Sequence, residues 1–270
     1  MRRARRTLSL VALTLVSCTG QVLPASTPTS AAAVLSINAT TATLPLITDL
    51  TQAYAQVAPD ISFEIVIGNY AAAAVQALSG EKIFFLTNHL PDQSGLWGAP
   101  VGQDAIVIIT YPGNPIDNLT IDDLRGIYQG RIVNWQAVNG SDLPIIVISR
   151  EAGSGTRAEF ERLVMGDRQT TRIARIAPSN SAVVTSVAGQ PGSIGYVSLS
   201  YVTPDVRALR IGGIAPTLAN VRQNIYPLRS TLFFAGPGEP DGPLRAFIAW
   251  TQSPDGQRVV AQRYTPLLGP

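Results

Sequence analysis

Residues 149–160 read Ser-Arg-Glu-Ala-Gly-Ser-Gly-Thr-Arg-Ala-Glu-Phe and hold the densest set of groups suited to an anion. Arg150 offers a planar fork of donors that matches an oxyanion. Ser154 and Thr156 add hydroxyls, and Gly153 and Gly155 let the backbone come close. Residues 145–148 form a short apolar run that predicts a buried strand, while Phe160, Leu163 and Val164 share one face of a predicted helix over 157–165. Strand, small polar loop and helix is a layout that aims unpaired N–H groups and the positive end of a helix dipole at the loop, so it attracts anions. A glycine turn closed by a Ser/Thr helix cap uses the same residues, and both readings stay open on this stretch alone.

Other chemistries find few residues to work with. His89 is the single histidine, so a Ser-His-Asp hydrolase would have to be built on it, and it reads more simply as a surface or loop residue. Gly153-Ser154-Gly155 lacks the spacing of a Gly-x-Ser-x-Gly nucleophile elbow. A Walker loop needs Gly-Lys-Ser/Thr, and Lys82 is the only lysine. One histidine and one cysteine do not make a common zinc site, so neither metal nor cofactor is expected. Asp122 and Asp123 are adjacent at a predicted helix start, where the dipole accounts for them. A binding protein is expected, not an enzyme.

The elements that would position the loop alternate. Strands are predicted over 35–37, 63–67, 83–86, 105–110, 145–149, 194–197 and 229–235. Helices are predicted over 46–57, 70–78, 120–130, 157–165, 241–253 and 255–263. The first helix would bury Ile47, Leu50, Tyr54 and Val57, and Thr120 would cap the third. Such alternation implies largely parallel sheets covered by helices. Residues 38–43 and 68–70 also place small or polar groups before a helix, so three helix ends could converge on one anion.

Several motifs then follow in order: residues 119–130, Leu-Thr-Ile-Asp-Asp-Leu-Arg-Gly-Ile-Tyr-Gln-Gly; residues 132–135, Ile-Val-Asn-Trp; the 149–160 stretch; residues 191–197, Pro-Gly-Ser-Ile-Gly-Tyr-Val; and Tyr226-Pro227-Leu228. Together they resemble the substrate-binding proteins of bacterial ABC phosphate importers, in the periplasmic-binding-protein superfamily. The resemblance spans roughly residues 35–267 and is strongest from Asp104 onward. It implies a type II-like periplasmic-binding fold, two α/β lobes with mostly parallel sheets and a ligand cleft between them. Lobe I would hold 34–110 and 200–270, and lobe II 111–199. The implied ligand contacts are Arg150, Ser154, Gly155 and Thr156 in the third loop, Thr40 and Thr41 in the first, and Asn69 in the second. The second loop departs from the family, since Gly68-Asn69-Tyr70-Ala71 has no serine or threonine. Asn88 stands where the family carries an acid, which puts the acceptor for a phosphate proton in doubt and makes Asp104 the next candidate. The implied function is capture of inorganic phosphate for an ABC permease. A diverged relative that binds another oxyanion, or that acts as an accessory or sensor protein with weak phosphate affinity, is the alternative.

The amino terminus points outside the cytoplasm. Arg2, Arg3, Arg5 and Arg6 precede an apolar stretch over 8–16 that is too short to span a bilayer in a mature protein. Leu15-Val16-Ser17-Cys18 resembles the lipobox of bacterial lipoproteins, so residues 1–18 are predicted as a signal peptide ending at a lipidated Cys18. An ordinary secretory signal with an incidental cysteine is the simpler reading of the same residues. Residues 19–33 are rich in Thr, Ser, Pro and Ala and read as a flexible tether, whose reach would be on the order of 20 Å. Four of the 20 basic residues lie in the leader, leaving 16 against 18 acidic ones and a net charge of −2. That balance has no electrostatic footprint for nucleic acid. The expected partners are phosphate or a similar oxyanion, the permease, and the membrane through a lipid anchor, with the protein itself a monomer.

Overall fold

The computed structural model describes residues 33–267. The leader, Cys18 and the tether up to residue 32 lie outside the described residues, and Ala33 already belongs to the first strand. The first part of the chain alternates β1 (Ala33–Thr40), α1 (Leu44–Tyr54), β2 (Ile61–Gly68), α2 (Tyr70–Leu78) and β3 (Phe85–Thr87). β1 pairs in parallel with both β2 and β3. Ile47, Leu50 and Tyr54 are buried as the helical period requires. Val57 departs from that prediction: α1 ends at Tyr54, ahead of Pro59, and Val57 is 59% exposed.

A long strand, β4 (Trp97–Thr110), then runs between two hydrophobic cores. It extends well beyond the predicted 105–110 because Gly98, Pro100 and Gly102 interrupt the apolar pattern without breaking the strand. Pro100 sits where the register with a later strand shifts, which is where a residue lacking N–H is tolerated. Ala105, Ile106, Val107, Ile108 and Ile109 are fully buried, the mark of a strand covered on both faces.

The chain continues through β5 (Asn118–Leu119), α3 (Ile121–Tyr128), β6 (Ile146–Arg150), α4 (Gly155–Phe160), β7 (Arg175–Ala177), α5 (Asn180–Ala188) and β8 (Ser193–Ser198). After β9 (Arg207–Ala208), β10 (Arg210–Ile211) and α6 (Leu218–Arg222) come β11 (Arg229–Gly236), α7 (Gly242–Gln252), α8 (Pro254–Val260) and β12 (Thr265–Pro266). The main sheet runs β2-β1-β3-β11-β4-β8-β6-β7. Pairing is parallel at both flanks and antiparallel where β4 and β11 carry the chain between them. Thr120 caps α3 as predicted, and the structure adds a reciprocal capping box with Asp123.

Two α/β lobes result, each around its own core. One gathers Ile37, Leu46, Ile47, Val101, Phe234 and Phe247, and the other Ile106, Ile108, Trp135, Phe160, Tyr196 and Tyr226. Val206, Leu209, Ile211, Val221, Tyr226 and Leu228, expected with lobe I, pack in the second core. β9 draws them there by pairing with Ile109 and Thr110 of β4, and the Tyr226 hydroxyl donates to the Ile106 carbonyl at 3.0 Å. The predicted helix over 157–165 starts two residues earlier, as α4, and continues as a π turn over Glu161–Met165. Among the described residues, no helix is long and apolar enough to cross a membrane.

Candidate anion-binding site

Arg150 ends β6 and is 2% exposed. Its strand is held from behind by aromatic packing: Tyr196 stacks on Phe160 with centroids 4.2 Å apart, and its hydroxyl meets Ser149 Oγ at 2.9 Å and accepts the Arg150 amide at 3.2 Å. Burial pushes the Tyr196 phenol up to about 12, so the hydroxyl stays neutral. Glu151 grips the guanidinium from one side, accepting from Nε and Nη2 at 2.9 Å each. Nη2 also donates to Thr41 Oγ1 at 3.1 Å, across a sequence separation of 109 residues. Nη1 is buried with no hydrogen-bond partner among the described residues.

The loop after Arg150 turns on Gly153, whose φ of +87° suits glycine. Ser154 caps α4 by accepting the Arg157 amide at 3.3 Å. Gly155 approaches β3 so closely that a Cβ there would lie 2.7 Å from Asn88 Oδ1. Asn88 is 1% exposed, its Nδ2 donates weakly to Thr156 Oγ1 at 3.4 Å, and its Oδ1 has no partner among the described residues.

Four of the residues singled out in the sequence therefore face each other across the lobes: Thr41 with Arg150, and Asn88 with Thr156. The other four sit close by with their groups engaged elsewhere. Thr40 bonds Thr43 within its own loop at 3.1 Å. Asn69 caps α2 by accepting the Ala72 amide at 2.8 Å, while the Ala71 amide donates to the Gly153 carbonyl at 3.1 Å. Ser154 serves as a cap, and Gly155 supplies room.

Sequence reasoning missed Asn180 and Tyr201. Asn180 Nδ2 donates to Thr41 Oγ1 at 3.2 Å, and the Tyr201 hydroxyl donates to the Thr41 carbonyl at 2.5 Å. Ser179 caps α5 ahead of an apolar run, so β7, a polar turn and α5 repeat the strand–loop–helix signature and mark this loop as a fourth of the same kind. His89 lies in the loop after β3, as expected, but away from the open surface: its side chain is 14% exposed and its Nδ1 lies 2.7 Å from Glu159 Oε1.

Asp104 lies on β4 behind the first loop and is 1% exposed. Oδ1 accepts the Ala105 amide at 2.8 Å, and Oδ2 has no well-aligned hydrogen-bond partner among the described residues. Burial raises its carboxyl to about 7, although the nearby Ser198 hydroxyl and the Ala105 and Leu199 amides pull the other way.

A family described as a PBP superfamily domain matches residues 26–255. The phosphate-binding protein PstS of Bacillus subtilis is 27% identical over 242 residues, covering 86% of this chain and 80% of that protein. A substrate-binding protein with bound phosphate from Clostridium perfringens superposes with a TM-score of 0.81 at 29% identity, over 87% of this chain and 100% of the other. An ABC-type phosphate transport receptor from Vibrio cholerae superposes with a TM-score of 0.73 at 25% identity, again over 87% and 100%.

Proposed function

Because the chain belongs to the periplasmic-binding-protein (PBP) superfamily, we propose that it captures inorganic phosphate outside the cytoplasm and delivers it to an ABC permease. It is a binding protein rather than an enzyme, in keeping with the phosphate-binding proteins it is similar to. One observation carries the choice of ligand. Arg150 Nη1, a charged donor at the end of β6, and Asn88 Oδ1, an acceptor in the loop after β3, are both buried, and neither has a partner among the described residues. Buried groups left unpaired are costly, so a ligand that both accepts and donates is favoured between them. Hydrogen phosphate does both, with oxygens for Arg150 and a proton for Asn88. Thr41, Thr156 and the Gly155 amide complete the proposed contacts, with Thr40, Asn69 and Ser154 shaping the loops that carry them. Capture would bring the lobes together around the anion, with β4 and β11 as the connecting strands.

Asn88 is neutral and can turn its amide to donate, so a fully ionised oxyanion such as sulfate should compete better here than against a carboxylate. That favours a broader oxyanion specificity as the second reading. In competition titrations at neutral pH, the wild type should bind phosphate, and Asn88→Asp should need about tenfold more sulfate for displacement, the effect of about 1.4 kcal/mol. Folded wild type that binds no phosphate would overturn the function. Phosphate binding with unchanged competition would remove Asn88 from the site.

The lipid anchor belongs to the same proposal. Cys18 follows an apolar leader and precedes a tether, which supports acylation, and two or more acyl chains would give stable membrane attachment. Labelled fatty acid should enter the wild type and not Cys18→Ser. Equal labelling of both, or of neither, refutes the anchor.

A further inference from the structure

We propose that His89 and Glu159 form a clasp between the lobes that sets how long the anion is held. This rests on the reading that phosphate binds between Arg150 and Asn88. His89 follows β3 on one lobe and packs edge-on against Tyr70 of α2, with ring centroids 4.7 Å apart. Glu159 is carried by α4 on the other lobe, 70 residues away in sequence, and the 2.7 Å contact joins the two. The clasp lies directly outside the anion site. His89 is the neighbour of Asn88, and Glu159 lies one helical turn beyond Thr156, the residue that Asn88 touches.

Glu159 is prepared for this contact. Arg162, on the same helical segment, donates to its Oε2 at 2.6 Å, so the carboxylate is oriented whether or not the lobes meet. Burial alone would raise the Glu159 carboxyl, but the hydrogen bonds from His89 and Arg162 outweigh it and hold it below the ordinary range. Asp92, near His89 on the first lobe, adds a weaker attraction to Arg162. The side chains of His89 and Glu159 are only 14% and 7% exposed, so solvent screens their contact little.

A contact made only when the lobes are together stabilises the closed form and not the open one. It therefore slows release while leaving anion entry nearly unchanged. Both are positioning residues, since neither needs to touch the anion.

Stopped-flow release of inorganic phosphate from the full chain tests this. His89→Ala should raise the release rate about tenfold, the loss of one hydrogen bond to a charged group, with little change in the association rate. His89→Asn, whose amide nitrogen can stand in for Nδ1, should restore slow release. Adding Glu159→Gln to His89→Ala should bring no further acceleration. The melting temperature without phosphate should match the wild type in the two single His89 variants, which a merely structural role would not allow. If phosphate binds the wild type and the release rate is unchanged in His89→Ala, the clasp is overturned and the function stands. If the folded wild type binds no phosphate, the functional reading falls and takes the clasp with it.

Discussion

Arg150→Ala is expected to weaken phosphate binding by about tenfold to a hundredfold. Hydrogen bonds to charged groups contribute about 1.5–3 kcal/mol each, and every 1.4 kcal/mol is a decade in affinity. The guanidinium is the only group in the site with a buried, unpartnered cationic donor among the described residues, and Glu151 and Thr41 already hold its other nitrogens in place. The fork is therefore oriented before any anion arrives. Arg150→Lys should recover only part of the loss, because an ammonium cannot bond Glu151, Thr41 and an oxyanion in one plane. Titration calorimetry on variants shown to be folded by circular dichroism measures both effects. Wild-type affinity in folded Arg150→Ala would place the site elsewhere.

Asp104→Asn is expected to stabilise the protein above neutral pH. In the folded chain the carboxyl titrates at about 7, against an ordinary value of 3.8, because burial disfavours its charge. Between these two values the folded state keeps a proton that the unfolded state has released. Stability contributed by this group therefore falls as pH rises from about 4 to about 7, and the full cost is present above 7. About three decades correspond to a cost on the order of 4 kcal/mol. An amide cannot ionise, so the variant should lose this slope and exceed wild-type stability by about 2–4 kcal/mol at pH 8. Denaturant midpoints followed from pH 4 to pH 8 provide the comparison. Parallel profiles for the two proteins would mean that folding leaves the Asp104 carboxyl at its ordinary value.

The same residue has a functional side. The Asp104 carboxyl lies near the hydroxyls of Tyr201 and Tyr264. The Tyr201 hydroxyl holds the Thr41 carbonyl, and the Tyr264 hydroxyl bonds the Ala42 carbonyl at 3.1 Å and meets Ser200 Oγ at 2.9 Å. A buried acid that destabilises the fold thus sits behind the loop that presents Thr41 to Arg150, in line with the strain that binding sites commonly store.

What the sequence determined by itself was local. The Thr120 cap, the span of α2 and the strand before Arg150 were legible because caps and hydrophobic periods act over one or two turns. The α/β alternation and the anion character of residues 149–160 followed from the same short-range signals. Tertiary structure decided the pairings. Thr41 meets Arg150 while its neighbour Thr40 turns inward, and Asn180, His89 and Glu159 join the cleft, through contacts 70 to 139 residues apart in sequence. Residues 206–228 joined the second core because β9 pairs with the far half of β4. No local period encodes such choices. They depend on sheet register and on which buried groups find a partner once two distant segments are brought within hydrogen-bonding distance.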